Sequence, residues 1–222
     1  DVLRTQLFSA VLGDLLDQLG YQQQFLPQAI KPIEPHRVLV GRAMTVLEID
    51  LEGAPATDSQ PFGKMFEALD DLKPHEIYVA SGSSLAYALW GGLMTTRAKK
   101  LGAAGAVLHG YHRDTQEILQ SQWPVFSMGS YAQDQAPRGK VVDWRVPMDI
   151  GGVKVQSGDL LFGDRDGVVV VPREVESEVI RRALEKVQTE SAVRQAILAG
   201  MSTVEAFERF GVMRSEEHTS EL

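Results

Sequence analysis

The chain contains no cysteine, which excludes disulfides, thiolate metal ligands and cysteine nucleophiles. It has no run of eighteen apolar residues and no charged-then-apolar leader. It therefore reads as a soluble protein, with the cytoplasm as its expected location and no membrane as partner. Cationic residues are in the minority: 22 Lys and Arg stand against 30 Asp and Glu, a net charge of −8. Without a basic stripe, and with few aromatics beside Lys or Arg, nucleic acid is not an expected partner either. No internal repeat and no linker divides the sequence.

What is present is globular in character. The 222 residues are 44% hydrophobic, with Gly and Pro scattered throughout, enough for one sizeable core of α/β type. A single domain is expected over residues 1–213. Residues 214–222 (RSEEHTSEL) are polar and aperiodic, and they resemble the translated read-through of a common sequencing adapter. They are set aside as non-native, and His218 within them is not counted as a ligand.

The organising stretch runs from Ser81 to Glu117. An apolar run at residues 77–80 reads as a strand, Gly91-Gly92 opens a helix over 93–101, and Gly102 stops it. Residues 106–108 form a second buried-type strand, followed by Arg113-Asp114. A strand–helix–strand unit of this length predicts parallel pairing. Parallel pairing puts the helix start and Arg113-Asp114 at one carboxyl edge of the sheet, where ligands bind in such folds. Taken alone, Arg113-Asp114 reads either as a salt-bridged turn or as a site. Gly91-Gly92 reads as a tight turn or as an anion site at a helix start.

Around this unit the pattern predicts an amphipathic helix over 5–19 and a strand over 38–49 with Gly41 as a bend or bulge. A turn-rich loop over 52–63 has the length of a functional lid. Short helices are expected near 62–69 and 115–119, and strands at 124–127 and 140–146. A Gly151-Gly152 hairpin follows, then two strands around the D-x-D-G turn at 164–167, a long helix over 174–198 and a short one over 203–210. Asp159, Asp164 and Asp166 lack the twelfth-position Glu of a calcium loop and read as turn residues. His75, His109 and His112 form no metal-ligand cluster by spacing. Trp90 and Tyr87 read as packing residues.

The motif G-[GDE]-L-[ML]-x3-A-x3-G-x2-G-x-V-x2-G-x2-R-D over Gly91–Asp114, then P-V-F at 124–126 and G-D-x4-D-x-D-G-V-V-V-x-P at 158–172, resembles the RraA-like family. The resemblance spans most of residues 7–213. It implies a swivelling β/β/α domain with a mixed sheet core and flanking helices, assembled as a homotrimer or hexamer with sites between subunits. The implied activity is that of a Mg2+- or Mn2+-dependent lyase, an aldolase for 4-hydroxy-4-methyl-2-oxoglutarate or 4-carboxy-4-hydroxy-2-oxoadipate and an oxaloacetate decarboxylase. The implied alternative is a non-catalytic regulator that binds a ribonuclease or helicase.

Carried over by position, Arg113 contacts the substrate's oxo oxygen and Asp114 holds the metal. The amides around Gly91, Gly92, Leu93 and Met94 receive the pyruvyl carboxylate. Glu190 from a neighbouring subunit reaches the metal's water shell. One departure stands out, because the aldolases carry G-x3-D-x20-R-D and that count places Ala88 and Gly92 where they have glycine and aspartate. The W-G-G-L-M version resembles a branch of the family. With the acid absent at residue 92, decarboxylation is expected to outlast aldol cleavage.

Overall fold

The computed structural model describes residues 2–52, 60–84 and 87–211. The proposed lid falls largely on 53–59, and the adapter-like segment on 214–222, both outside the described residues.

The chain opens with two short helices, α1 (Val2–Gln6) and α2 (Ser9–Gln18), where the periodicity predicted one. Phe8 is extended, and the Ser9 amide and hydroxyl each donate to the Asp164 carboxylate at 2.7 Å. A carboxylate from the D-x-D-G turn thus satisfies the start of α2 and breaks the helix there.

The main sheet is built on β2 (Leu39–Asp50), flanked by α3 (Met65–Asp70) and β3 (Glu76–Ser81) in sequence. β2 pairs parallel with β3, and β3 pairs parallel with β5 (Gly105–Leu108). Beyond β5 lie β7 (Val125–Ser127), parallel, and β1 (Lys31–Pro32), antiparallel. On the other side of β2, its first half meets β11 (Leu160–Gly163), which pairs with β12 (Val168–Val171). Its second half meets β8 (Gly139–Trp144). The Gly151-Gly152 turn joins β9 (Met148–Ile150) to β10 (Val153–Val155) as expected.

Alternation along β3 explains how one sheet builds two cores. Tyr78 and Ala80 face one layer, with the helices that follow β3. Ile77 and Val79 face the other, with Phe126 and the β9–β10 hairpin. A third layer packs α2 and α6 (Glu176–Leu198) on β11 and β12. The chain closes with α7 (Thr203–Phe210), whose Ser202–Glu205 capping box is satisfied in both directions.

Gly41 is not the bulge. The register shift in β2 lies at Leu47/Glu48. Gly41 serves close approach instead: a Cβ there would sit 2.5 Å from the His75 carbonyl oxygen and 2.9 Å from Ala104 Cβ. Gly41→Val is therefore expected to cost about 2 kcal/mol by overpacking, read as a lower urea midpoint.

The site region departs from a simple β3–helix–β5 unit. After β3 the chain forms a further strand, β4 (Ala88–Trp90), before α4 (Gly92–Lys100). After β5 it forms β6 (Tyr111–His112) before α5 (Thr115–Ser121). β4 and β6 pair parallel in a small separate sheet. The Gly-Gly helix start and Arg113-Asp114 thus lie at the carboxyl ends of this ladder, not of the main sheet. Strands of two and three residues have too little alternation to be read from sequence.

Candidate active site

Trp90 fixes where α4 begins. It is buried, stacks on Trp123 at 5.6 Å between ring centroids and packs on Tyr78 at 4.9 Å. Its indole N–H donates to Thr95 Oγ1 at 2.7 Å, and that hydroxyl donates to the Gly91 carbonyl at 3.1 Å. The packing role expected for Trp90 and Tyr87 is the observed one, since both are buried in the same core layer.

Arg113 is registered by its backbone, the N–H donating to the Trp90 carbonyl at 2.9 Å. Its Nη1 lies 3.2 Å from Asp134 Oδ1, with both side chains more than a third exposed. Such a pair contributes under about 1 kcal/mol and orients the guanidinium more than it stabilises the fold. The salt bridge imagined between Arg113 and Asp114 is absent, because the partner is Asp134.

Asp114 sits at the N-cap of α5 with φ 58° and ψ 38°, a left-handed conformation that Asp tolerates and most residues do not. Its side chain caps no amide of its own helix. Instead, Oδ2 accepts from the Gly92 N–H of α4 at 3.0 Å. Gly91 permits this approach, since a Cβ there would lie 2.7 Å from the same oxygen. The next two amides of α4, on Leu93 and Met94, have no acceptor among the described residues, as the opening turn of a helix leaves them.

One cavity of about 200 Å3 is lined by Gly91, Leu93, Met94, Arg113 and Asp114, together with Phe62, Met65, Phe66, Asp134 and Gln135. A shallower one of about 460 Å3 lies on the far side of Arg113 and Asp114, against Thr115, Ser130 and Tyr131. Of the predicted residues at the starts of α4 and α5, Gly91, Leu93, Met94, Arg113 and Asp114 therefore line one space, and Gly92 does not. Glu190 does not join them within a single chain. It lies on α6 in a groove with Asp14, Lys186, Arg194 and Phe207. Lys99, near the far end of α4, donates to the Ser121 carbonyl at 2.7 Å.

His112 is a structural residue. It is buried, with Nδ1 2.7 Å from Ser127 Oγ and Nε2 3.0 Å from Thr115 Oγ1. Burial holds its pKa below the ordinary histidine value. Both ring nitrogens are thereby committed to tying β6 to β7 and to the first residue of α5.

Sequence reasoning missed Phe62, Met65, Phe66, Asp134 and Gln135, which reach the cavity from distant segments. It also missed two acids. Glu117 follows Asp114 by one helical turn, and that D-x-x-E spacing on α5 is the signal that points to it. Glu48 is 1% exposed behind the cavity wall, accepting a hydrogen bond from Gln135 Nε2. Burial pushes its pKa up to about 8, against the Gln135 bond and with help from Asp50. Its Oε1 and the Tyr78 hydroxyl, both buried, have no hydrogen-bond partner among the described residues.

A hard divalent cation fits the donor set here. Mg2+ and Mn2+ take oxygen ligands, and Mg2+ is commonly held by one or two protein carboxylates with water completing the shell. Asp114 offers Oδ1 without a protein partner among the described residues. No cluster of three or more His, Asp or Glu side chains suited to a metal occurs among those residues.

A family model described as RraA-like, Aldolase/RraA, matches residues 9–170. A protein of Halalkalibacterium halodurans with the provisional name 4-hydroxy-4-methyl-2-oxoglutarate aldolase is 30% identical over 197 residues, covering 88% of this chain and 87% of that protein. DlpA of Legionella pneumophila is 28% identical over 203 residues, which are 91% of this chain and 32% of DlpA, so the chain spans about a third of that relative. Among solved structures, an uncharacterized protein from Pseudomonas syringae pv. tomato gives a TM-score of 0.81 at 31% identity, covering 91% of this chain and 90% of that one. Streptomyces coelicolor RraAS2, described as an unusual member of the RNase ES inhibitor RraA protein family, gives 0.76 at 23% identity over 87% and 94% of the two chains. The last likeness concerns the fold alone. The mixed sheet with flanking helices is the architecture that the sequence resemblance implied.

Proposed function

Because the chain belongs to the RraA-like family, we propose that it is a divalent-metal-dependent carbon–carbon lyase acting on small 2-oxo di- or tricarboxylates, with pyruvate as product. The observation that carries this reading is the convergence of Arg113, Asp114 and the unmatched amides of Leu93 and Met94 on one cavity. The aldolase name of the Halalkalibacterium halodurans relative supports the same reaction class.

Breaking a C–C bond β to a ketone drives an electron pair toward the oxo carbon, and negative charge builds on the oxo oxygen. A bound Mg2+ or Mn2+ would supply the Lewis acid that polarises this oxygen. Asp114 would hold the cation, its geometry fixed by the Gly92 N–H. The Leu93 and Met94 amides would receive the substrate's 2-carboxylate at the positive end of α4. Arg113, oriented by Asp134, would offset the charge on the oxo oxygen as it forms, a preorganised interaction that gains strength as the reaction proceeds. For oxaloacetate the departing group is carbon dioxide, no base is needed, and a proton from solvent on the carbon that lost it turns the enolate into pyruvate. For a 4-hydroxy substrate a proton must also leave the 4-hydroxyl, so the two reactions differ in one requirement.

The reading includes a trimer or hexamer, in which Glu190 of the partner subunit reaches the cation's water shell. Leu93, 84% exposed at the cavity, offers the apolar surface such a copy would cover. No helix among the described residues is long and apolar enough to cross a membrane, and the cytoplasm remains the proposed location.

The test is to incubate the protein with oxaloacetate, and separately with 4-hydroxy-4-methyl-2-oxoglutarate, and to follow pyruvate by lactate dehydrogenase coupling. Turnover that requires Mg2+ or Mn2+ and stops with EDTA is the expected result. Background rates in every condition would overturn the lyase reading and favour a regulator that binds a ribonuclease or helicase.

A further inference from the structure

We infer that Glu117 is the second acidic side chain of the Asp114 site, delivered from α5 into the space that residue 92 leaves empty. The inference rests on the metal-dependent reading above. A Cβ built on Gly92 would lie 2.1 Å from Glu117 Oε2, 2.3 Å from Cδ and 2.8 Å from Oε1. The carboxylate itself, not its methylene stem, fills that place. The amide of the same glycine is the one that donates to Asp114 Oδ2. Two carboxylates from one turn of α5 therefore rest on a single residue at the start of α4.

Their spacing makes this possible. Asp114 is the N-cap of α5 and Glu117 lies in its first turn, so both carboxylates leave the same end of that helix. Glu117 is exposed and makes no hydrogen bond or ion pair with any described residue. The nearest cation in sequence, Arg113, is directed at Asp134. Two unneutralised carboxylates that both approach Gly92 repel, and a divalent cation with its bound waters offsets that repulsion while using the oxygen ligands it prefers. Gly92 has an unstrained backbone in α4, so its lack of a side chain is needed for the Glu117 approach and not for the fold.

A Gly92→Asp substitution probes the same space. The new side chain collides with the Glu117 carboxylate, a flexible group that must swing away, so the variant exchanges one acid for another under crowding. Gly92→Asp combined with Glu117→Gln instead moves the acid from α5 to α4 without a clash of charges.

The experiment measures Mn2+ binding to the intact protein without substrate, by calorimetry and by the electron paramagnetic resonance of free Mn2+. Wild type is expected to bind Mn2+. Glu117→Gln is expected to raise Kd by about 10- to 100-fold, the range seen when a supporting acid at a metal site is removed, with the metal-free melting temperature unchanged. The double variant is expected to recover at least part of that loss. Glu117→Gln binding as wild type does, or a double variant no tighter than Glu117→Gln, would overturn the inference and leave a metal-dependent lyase standing. Wild type that binds no Mn2+ and releases no pyruvate would overturn both.

Discussion

Asp114→Asn is expected to lower metal-dependent pyruvate release at least about a hundredfold, the scale on which losing one charge-stabilising group lowers kcat. Asn is the informative replacement. It tolerates the left-handed backbone at φ 58°, keeps an oxygen for the Gly92 N–H and removes only the charge. Alanine would add a conformational cost of about 1–2 kcal/mol at that backbone angle and blur the result. Because the Asp114 side chain caps no helix of its own, the melting temperature without metal is expected to stay near that of wild type. Titrating Mn2+ in the activity assay separates the two ways the variant can fail. A rate restored at high Mn2+ marks lost affinity, and a rate that stays low marks lost positioning of the bound ion. Unchanged turnover at low Mn2+ would remove Asp114 from the mechanism.

Glu48→Gln is expected to make the protein more stable at pH 8 and to leave it nearly unchanged at pH 4.5. The sign follows from proton linkage. Glu48 is raised by burial from an ordinary value of 4.5 to about 8 in the folded chain, so between those values the folded state holds a proton that the unfolded state has released. Stability from this group is full below pH 4.5 and is lost progressively as pH rises through 8. Spread over that window, the loss is on the order of 4 kcal/mol. A glutamine carries no charge to bury and keeps an oxygen for the Gln135 amide, so the variant lacks this slope. His109 and His112 act in the opposite sense: burial lowers both, so their contribution is present above about pH 6.5 and is lost as pH falls. The difference between wild type and Glu48→Gln isolates the glutamate from them. Urea midpoints at pH 5, 6.5 and 8 provide the check. Parallel pH profiles for the two proteins would show that Glu48 ionises normally.

Glu48 also shows why the cavity's surroundings were hard to read. In sequence it is a charged residue near the end of an apolar strand, a residue type that ordinarily faces solvent. Its place in the alternation beside Met44 and Val46 turns it inward, and what makes that burial tolerable lies elsewhere in the chain. Gln135, its partner, comes from a loop 87 residues away. Phe62, Met65 and Phe66 reach the cavity from around α3 in the same way.

The sequence by itself determined the local elements. The Gly151-Gly152 hairpin, the two strands around the D-x-D-G turn, the capped helix at 203–210 and the parallel pairing of β3 with β5 were all legible. Each depends on periodicity and turn chemistry among near neighbours. The adjacency of Gly91-Gly92 to Arg113-Asp114 was legible for the same reason, since both follow short connections from paired strands. Tertiary structure alone decided the rest. It broke the first helix at Ser9 through a carboxylate 155 residues away, and it split off the β4–β6 ladder from the main sheet. It gave Arg113 to Asp134 and brought Glu117 into the gap at Gly92. Those outcomes depend on how separate segments stack, and side-chain approach between segments is set by packing distance, which residue order does not encode.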